Sequence, residues 1–300
     1  MKIRNKTVSC FKEWSTFIFF GILTSCSSSN SQEVFEEIQE EVEEEVLLDV
    51  YAEDYWDNAE LVWADEFDGT EILNENWTFE TGSHGWGNNE LQDYVVNDNI
   101  EVSNGTLKII AKKKEGFADG ARYTSTRLNS VKQFRYGRME FKAKMPEDKG
   151  NGIWPALWML GYDIHTVGWP ACGEIDIMEY VSFEPNQTHF SIHSTANNHK
   201  NGTQITSGPV PLESIEEEFH IYGLLWTDKY IKFYIDDINN IQLNFQRPAN
   251  SNYDNWPFSK PFYFLMNIAV GGDWGGIYGV DDTIFPATME VDYVRVYQVK

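Results

Sequence analysis

From Leu61 onward the chain repeatedly alternates apolar and polar side chains at a spacing of two, and that period leaves room for little but β-structure. In Lys229-Tyr230-Ile231-Lys232-Phe233-Tyr234-Ile235-Asp236, Ile231, Phe233 and Ile235 share one face, because successive side chains of a strand point to opposite sides. Runs at 106–111, 136–144 and 288–297 alternate in the same way. They are rich in β-branched and aromatic residues and are separated by Gly, Asn, Asp and Pro clusters, which turn the chain. Little helical periodicity lies between them and no internal repeat is visible. The expected fold class is therefore all-β, with residues 61–300 forming one antiparallel β-sandwich or jelly roll.

The first sixty residues follow other rules. Lys2, Arg4, Lys6 and Lys12 precede an apolar run from Phe17 to Leu23, which is followed by Thr24-Ser25-Cys26. A basic start, a short apolar centre and a small-residue site ending in Cys read as an export leader over 1–26. The run is much shorter than the ~20 residues needed to span a bilayer. Leu23-Thr24-Ser25-Cys26 resembles a bacterial lipobox, which implies that Cys26 is lipidated and that a lipid anchor alone holds the exported protein at the cell envelope. Between Glu33 and Glu60 stand thirteen acidic residues and no Lys or Arg. Residues 27–60 are expected to form a solvated, flexible acidic stalk. Val34, Ile38, Val42 and Val46 recur every four residues, a spacing that allows a short amphipathic helix within it.

The formal net charge is −24, and it stays negative beyond the stalk. Such a chain is a poor partner for nucleic acid, for an anionic membrane surface or for a sulfated polymer, whereas a neutral sugar polymer meets no such objection. A monomer is expected. The three cysteines are Cys10, Cys26 and Cys172. With the first in the leader and the second lipidated, Cys172 has no intramolecular partner, and stability must come from a packed core.

The most specific string is Gly173-Glu174-Ile175-Asp176-Ile177-Met178-Glu179-Tyr180. Glu174 and Asp176 are two apart and share a strand face, with Ile175 and Ile177 on the other. On a regular strand Glu179 would point into the core, where an unpaired carboxylate is costly. One extra residue, a β-bulge at Ile177-Met178, returns Glu179 to the carboxylate face. Glu174 and Glu179 then lie four strand positions apart, about 13 Å between Cα atoms. Side chains leaning toward each other bring the carboxyls to roughly 5–6 Å. That separation approaches the ~5–5.5 Å of retaining glycosidases rather than the ~6.5–9.5 Å of inverting ones. Asp176 between them makes full ionisation of the row unfavourable, so one Glu should keep a proton near neutral pH. The plainer reading, an acidic surface face or a cation site, leaves the phase break before Glu179 unexplained.

Aromatic residues cluster around this string. Trp154, Trp158 and Trp169 precede it closely, and Trp86 and Trp274 sit in Gly-rich stretches. Indoles in Gly-rich loops have little to pack against and suit stacking on a pyranose ring, whereas Trp158, in Trp-Met-Leu, reads as core. Cys172 has no His partner placed by any motif and reads as a small buried filler.

Together with Trp86-Gly87-Asn88-Asn89-Glu90, Trp154-Pro155-Ala156-Leu157-Trp158, Trp169-Pro170-Ala171-Cys172-Gly173, Ala269-Val270-Gly271-Gly272-Asp273-Trp274 and Met289-Glu290-Val291-Asp292-Tyr293, the acidic string resembles glycoside hydrolase family 16, and its laminarinase-like members in particular. The resemblance runs from about Leu61 to Tyr297. It implies a jelly roll with a concave substrate cleft and a double-displacement mechanism, with no cofactor for catalysis. By position in the motif, Glu174 would be the nucleophile, Glu179 the acid and then base, and Asp176 the residue that hydrogen-bonds and holds the nucleophile. Trp154 and Trp169 would floor the donor subsites, Asn89 and Arg127 would contact glucose hydroxyls, and His193 would face the cleft from the neighbouring strand. A structural Ca2+ far from the cleft is also implied, with Asp292 and the backbone oxygen of Glu66 as ligands. The implied substrate is β-1,3-glucan of the laminarin kind, with mixed β-1,3/1,4-glucan tolerated. A galactan hydrolase acting on agar, porphyran or carrageenan, a non-catalytic glucan-binding protein and a transglycosylase are the alternatives.

Overall fold

Where the sequence alternates, the chain is extended and buries every second side chain. In Gly137–Lys144, Met139, Phe141 and Ala143 are fully buried, while Arg138, Glu140 and Lys142 between them are half-exposed. The runs at 106–111, 229–236 and 288–297 become Thr106–Lys113, Tyr230–Ile235 and Ala287–Val299. The computed structural model describes residues 48–114, 122–147 and 150–300. The expected leader, Cys26 and the stalk up to residue 47 lie outside these residues.

Two sheets stack face to face. One runs Ile241–Gln246, Tyr230–Ile235, His220–Trp226, Gly137–Lys144, Ala287–Val299, Thr106–Lys113, Tyr123–Ser125 and Gln92–Tyr94; Ala59–Asp65 adds to Ala287–Val299, and Ile100–Ser103 to Thr106–Lys113. The other runs Ile205–Thr206, Gln187–His193, Glu174–Glu179, Ile153–Gly161, Phe262–Val270, Arg127–Phe134 and Trp77–Glu80. Pairing is antiparallel except between Gln92–Tyr94 and Tyr123–Ser125. Neighbours in each sheet come from distant parts of the chain, as in a jelly roll. Among the described residues no helix is long and apolar enough to cross a membrane.

The core lies between the sheets. Phe141, Val291, Val294 and Val296 from one face meet Leu157, Met159, Ile175, Ile177, Met178, Phe264 and Met266 from the other. Each large side chain buried there contributes about 1.5–3 kcal/mol over remaining in water.

The folded body begins earlier than the sequence reading placed it. Trp56 is only 9 % exposed and donates through Nε1 to Tyr230 Oη at 3.1 Å, and that hydroxyl in turn donates to the Val50 carbonyl. Ala59 pairs with Val299 at the end of the ladder. The segment from Val50 to Ala59 is therefore attached to the folded body rather than part of a free stalk. The density of acidic residues hid Val50, Tyr55 and Trp56, which supply an apolar cluster with Leu225 and Tyr234.

Candidate active site

The acidic strand Glu174–Glu179 begins where Gly173 turns the chain at φ +75°. A Cβ at Gly173 would stand 2.9 Å from Pro257 and 3.0 Å from Phe262, so a side chain is excluded by both conformation and space. Along the strand the register slips by one residue against both neighbours. Asp176 pairs with Ser191 and Glu179 with His189 on one side, and Asp176 pairs with Trp158 and Met178 with Leu157 on the other. The bulge expected at Ile177-Met178 is present. It turns both Ile177 and Met178 into the core and sets Glu174, Asp176 and Glu179 along one wall of a cleft of about 810 Å³.

All three acids are largely withdrawn from water. Asp176 is 3 % and Glu179 9 % exposed. Burial pushes the Glu174 carboxyl up to about 8, and the neighbouring Asp176 charge adds to it, against a lowering by His193 and the Trp169 indole. Glu179 is likewise pushed up to about 8 by burial and by Asp176, opposed by His193, Trp154 and Ser191. Burial raises Asp176 well above the usual carboxylate range. The row therefore holds protons at neutral pH, which general acid catalysis requires.

Each glutamate is held by one indole. Trp169 Nε1 donates to Glu174 Oε2 at 3.0 Å, and Trp154 Nε1 donates to Glu179 Oε1 at 3.1 Å. Trp154 also meets Trp274 edge to face, with centroids 5.3 Å apart. The Trp169 ring is flanked by His199 at 5.0 Å and by the Lys200 ammonium at 5.0 Å. Part of the surface expected to floor a sugar subsite is thus already covered.

Trp158 corrects the sequence reading, because it faces the cleft rather than the core. It shares a strand face with Trp154, Ala156 and Leu160, and its Nε1 donates to Asn267 Oδ1 at 2.7 Å. Arg127 also lines the cleft, but its guanidinium lies between the rings of Trp86 and Trp158, 4.7 Å from each centroid, and its Nε donates to Glu80. It braces two indoles while remaining part of the cleft lining. Trp86 lines the cleft with Nε1 donating to the Gly82 carbonyl. Asn89 does not line the cleft. It borders a neighbouring depression and donates to Asp273, and Asn88, one position earlier, takes the cleft-facing place.

His193 is buried on the adjacent strand, with Nε2 3.1 Å from Asp176 Oδ2 and 3.6 Å from Glu174 Oε1. The hydrogen bond expected from Asp176 to Glu174 is not among those the side chains form, and Asp176 Oδ2 has no hydrogen-bond partner. Cys172 is fully buried, and burial with the Glu174 charge pushes its thiol up to about 12. That leaves it inert as a nucleophile.

The sequence reading gave no role to His189 or Glu90. His189 bonds Glu184 at 3.0 Å and meets Trp274 edge to face at 4.9 Å. Its signal was the period-two series His189, Ser191, His193, all on the cleft side. Glu90 is buried in the cleft wall and accepts from Gln92, Asn88 and Tyr94, and burial raises its carboxyl. A single Glu in a Gly-Asn-rich loop carried no signal of that burial.

Away from the cleft, Asp292 is the extra residue of a bulge between Val291 and Tyr293, and its carboxylate lies 2.6 Å from the Lys142 ammonium. Glu66 takes both oxygens to Arg295 at 2.8 Å. The expected calcium would draw on the Asp292 carboxylate, here paired with Lys142, and on the backbone oxygen of Glu66 rather than on its side chain.

Comparison with known proteins places this geometry in context. Residues 87–295 match the family described as glycosyl hydrolases family 16. The chain is similar to a β-glucanase of Rhodothermus marinus, at 44 % identity over 80 % of this chain and 85 % of that protein. It is similar to glucan endo-1,3-β-glucosidase A1 of Niallia circulans, at 36 % identity over 79 % of this chain and 38 % of that one. Among solved structures, the laminarinase from Flavobacterium sp. UMI-01 superposes with a TM-score of 0.72 at 43 % identity, covering 80 % of this chain and all of that one. The two stacked sheets, the bulged row of acids and these matches agree, and the chain belongs to glycoside hydrolase family 16.

Proposed function

We propose that the chain is a retaining endo-β-1,3-glucanase acting on laminarin-like glucan, with mixed-linkage glucan tolerated. The observation that carries the reading is the bulge at Ile177-Met178, which sets two indole-held glutamates and an aspartate on one cleft wall. Glu174, once ionised, attacks the anomeric carbon while Glu179 gives its proton to the departing glycosidic oxygen. The glycosyl ester on Glu174 is then hydrolysed by a water from which Glu179 takes a proton. Asp176 raises both glutamate pKa values, which helps the row retain the proton that the first step needs. Trp154 and Trp169 fix the carboxyl orientations through their N–H groups. Trp86 and Trp158, braced by Arg127, offer flat apolar surface along the cleft.

The names of the similar proteins favour glucan over galactan, and the presence of both glutamates disfavours a purely binding role. The test is reducing-sugar release by the full chain on laminarin, lichenan, agarose and carrageenan, alongside Glu174→Gln and Glu179→Gln. Release from laminarin, lost in both variants, supports the reading. Release from a galactan alone overturns the substrate, and binding without release from any polymer overturns the enzyme.

The leader ending at Cys26 supports a further part of the proposal: an exported lipoprotein held at the cell surface by acyl chains. Cys26→Ala should move the protein from the membrane fraction to the soluble one. Retention in the membrane fraction would rule out the anchor.

A further inference from the structure

Glu174, Asp176 and His193 each present one ligand-type atom to a common point, and those atoms lie within 4.8 Å of one another. The imidazole is placed by the adjacent strand, where His193 pairs with Glu174. Its Nε2 stands 3.1 Å from Asp176 Oδ2 and 3.6 Å from Glu174 Oε1. Two atoms bound to one zinc ion at ~2.0–2.1 Å are about 2.9 Å apart at a right angle and about 3.4 Å apart at the tetrahedral angle. The 3.1 Å edge therefore already has the dimensions of a metal site, and rotation of the longer Glu174 side chain shortens the 3.6 Å edge and closes the third.

A second observation concerns the burial and hydrogen bonding of the same carboxylate. Asp176 is 3 % exposed, yet its Oδ2, the atom facing the imidazole, has no hydrogen-bond partner. A buried carboxylate oxygen without a donor is costly unless a proton, a water or a cation meets it. Two carboxylates and one imidazole suit a borderline cation, whereas calcium and magnesium take oxygen ligands almost exclusively. His193 Nδ1 lacks the outer hydrogen bond that usually strengthens a ligating imidazole, which sets the expected affinity in a reversible range.

We propose that Glu174, Asp176 and His193 form a reversible binding site for a borderline divalent cation of the zinc class. Occupancy stops cleavage, since Glu174 cannot hold the ion and attack a sugar at once. The ion keeps open positions toward the cleft, as in sites with three protein ligands. The binding site stands on the geometry, while its effect on turnover rests on the glucanase reading.

Zinc chloride is titrated calorimetrically into the full chain as wild type, His193→Gln, Asp176→Asn and Glu179→Gln, with unfolding midpoints recorded without zinc. Cobalt(II) is added to the wild type and its visible spectrum recorded, and laminarin hydrolysis is followed with and without zinc. One zinc per chain is expected, bound at least about tenfold more weakly by His193→Gln and Asp176→Asn and almost unchanged by Glu179→Gln. Hydrolysis should fall with the same midpoint and return on adding EDTA, and cobalt should show bands of nitrogen–oxygen coordination. Equal zinc affinity in all four proteins overturns the site. If a ligand variant does not fold, the cobalt spectrum decides, and one matching the free aqua ion overturns the site. Ligand-dependent zinc binding by a chain that hydrolyses no polymer keeps the site and overturns the glucanase reading.

Discussion

On one side of the acidic strand, Ile175, Ile177 and Met178 are fully buried among Leu157, Met159 and Phe264. On the other side, along the cleft wall, Glu174, Asp176 and Glu179 crowd three carboxyls into a row. The core face gains free energy from burial, because its atoms prefer hydrocarbon to water. The cleft face loses free energy from burial, and the loss appears as carboxyl pKa values pushed upward. The bulge connects the two, since the residue it adds goes to the core side and frees Glu179 for the cleft. The core face supplies the stability that lets the cleft face be chemically strained.

Four experiments probe that division, beginning with the largest effect. Glu174→Gln and Glu179→Gln each remove a reacting group while keeping its shape, and laminarin turnover should drop by about 10⁴-fold, or about 5.5 kcal/mol of barrier. Neither change should lower the unfolding midpoint. A drop in stability comparable to a core mutation would end the division of roles. Ile175→Ala on the opposite face should cost about 2–5 kcal/mol in denaturant unfolding and leave turnover per folded molecule within a few-fold.

The third experiment follows unfolding against pH. Below about 4.5, the ordinary value for Glu, folded and unfolded chains both hold these protons and the native state bears no penalty from them. As pH rises toward 8 the unfolded chain releases them while the folded one still binds them, so stability is lost across that window. The loss should amount to several kcal/mol and shrink in either Glu→Gln variant; a slope equal in wild type and variants would contradict the raised glutamate pKa values. The smallest effect comes from the indoles. Trp154→Phe and Trp169→Phe each delete one N–H donor, worth about 1 kcal/mol. Each should shift one limb of the pH–rate profile upward and reduce kcat/KM several-fold.

Most of the fold was legible because period-two alternation survives wherever one strand face meets the core, as in Gly137–Lys144. The bulge was legible for a sharper reason, since without it Glu179 would be an unpaired charge among Ile175 and Ile177. Trp158 was misread because apolar neighbours surround it in sequence, although its spacing of four from Trp154 sets both on one strand face. Asn89 was misplaced by a single position in a loop where Trp86 and Asn89 themselves take positive φ, and side-chain direction there does not follow from a period. The bracing by Arg127 was not legible because its two stacking partners come from separate elements, a loop and a strand. The attachment of the segment from Val50 to Ala59 was obscured by its charge, while Trp56 reaches a Tyr230 hydroxyl far along the chain. Local pattern reveals strand faces, and contacts between distant segments must be seen.

The most direct test of the central claim is the anomeric configuration of the first sugar released from laminarin, read by proton NMR within the first minutes of hydrolysis. Two displacements, with Glu174 as nucleophile and Glu179 as acid and base, predict that the β-anomer appears first and the α-anomer only later by mutarotation. The α-anomer appearing first would mean a single inverting displacement, and the roles assigned to the two glutamates would be wrong.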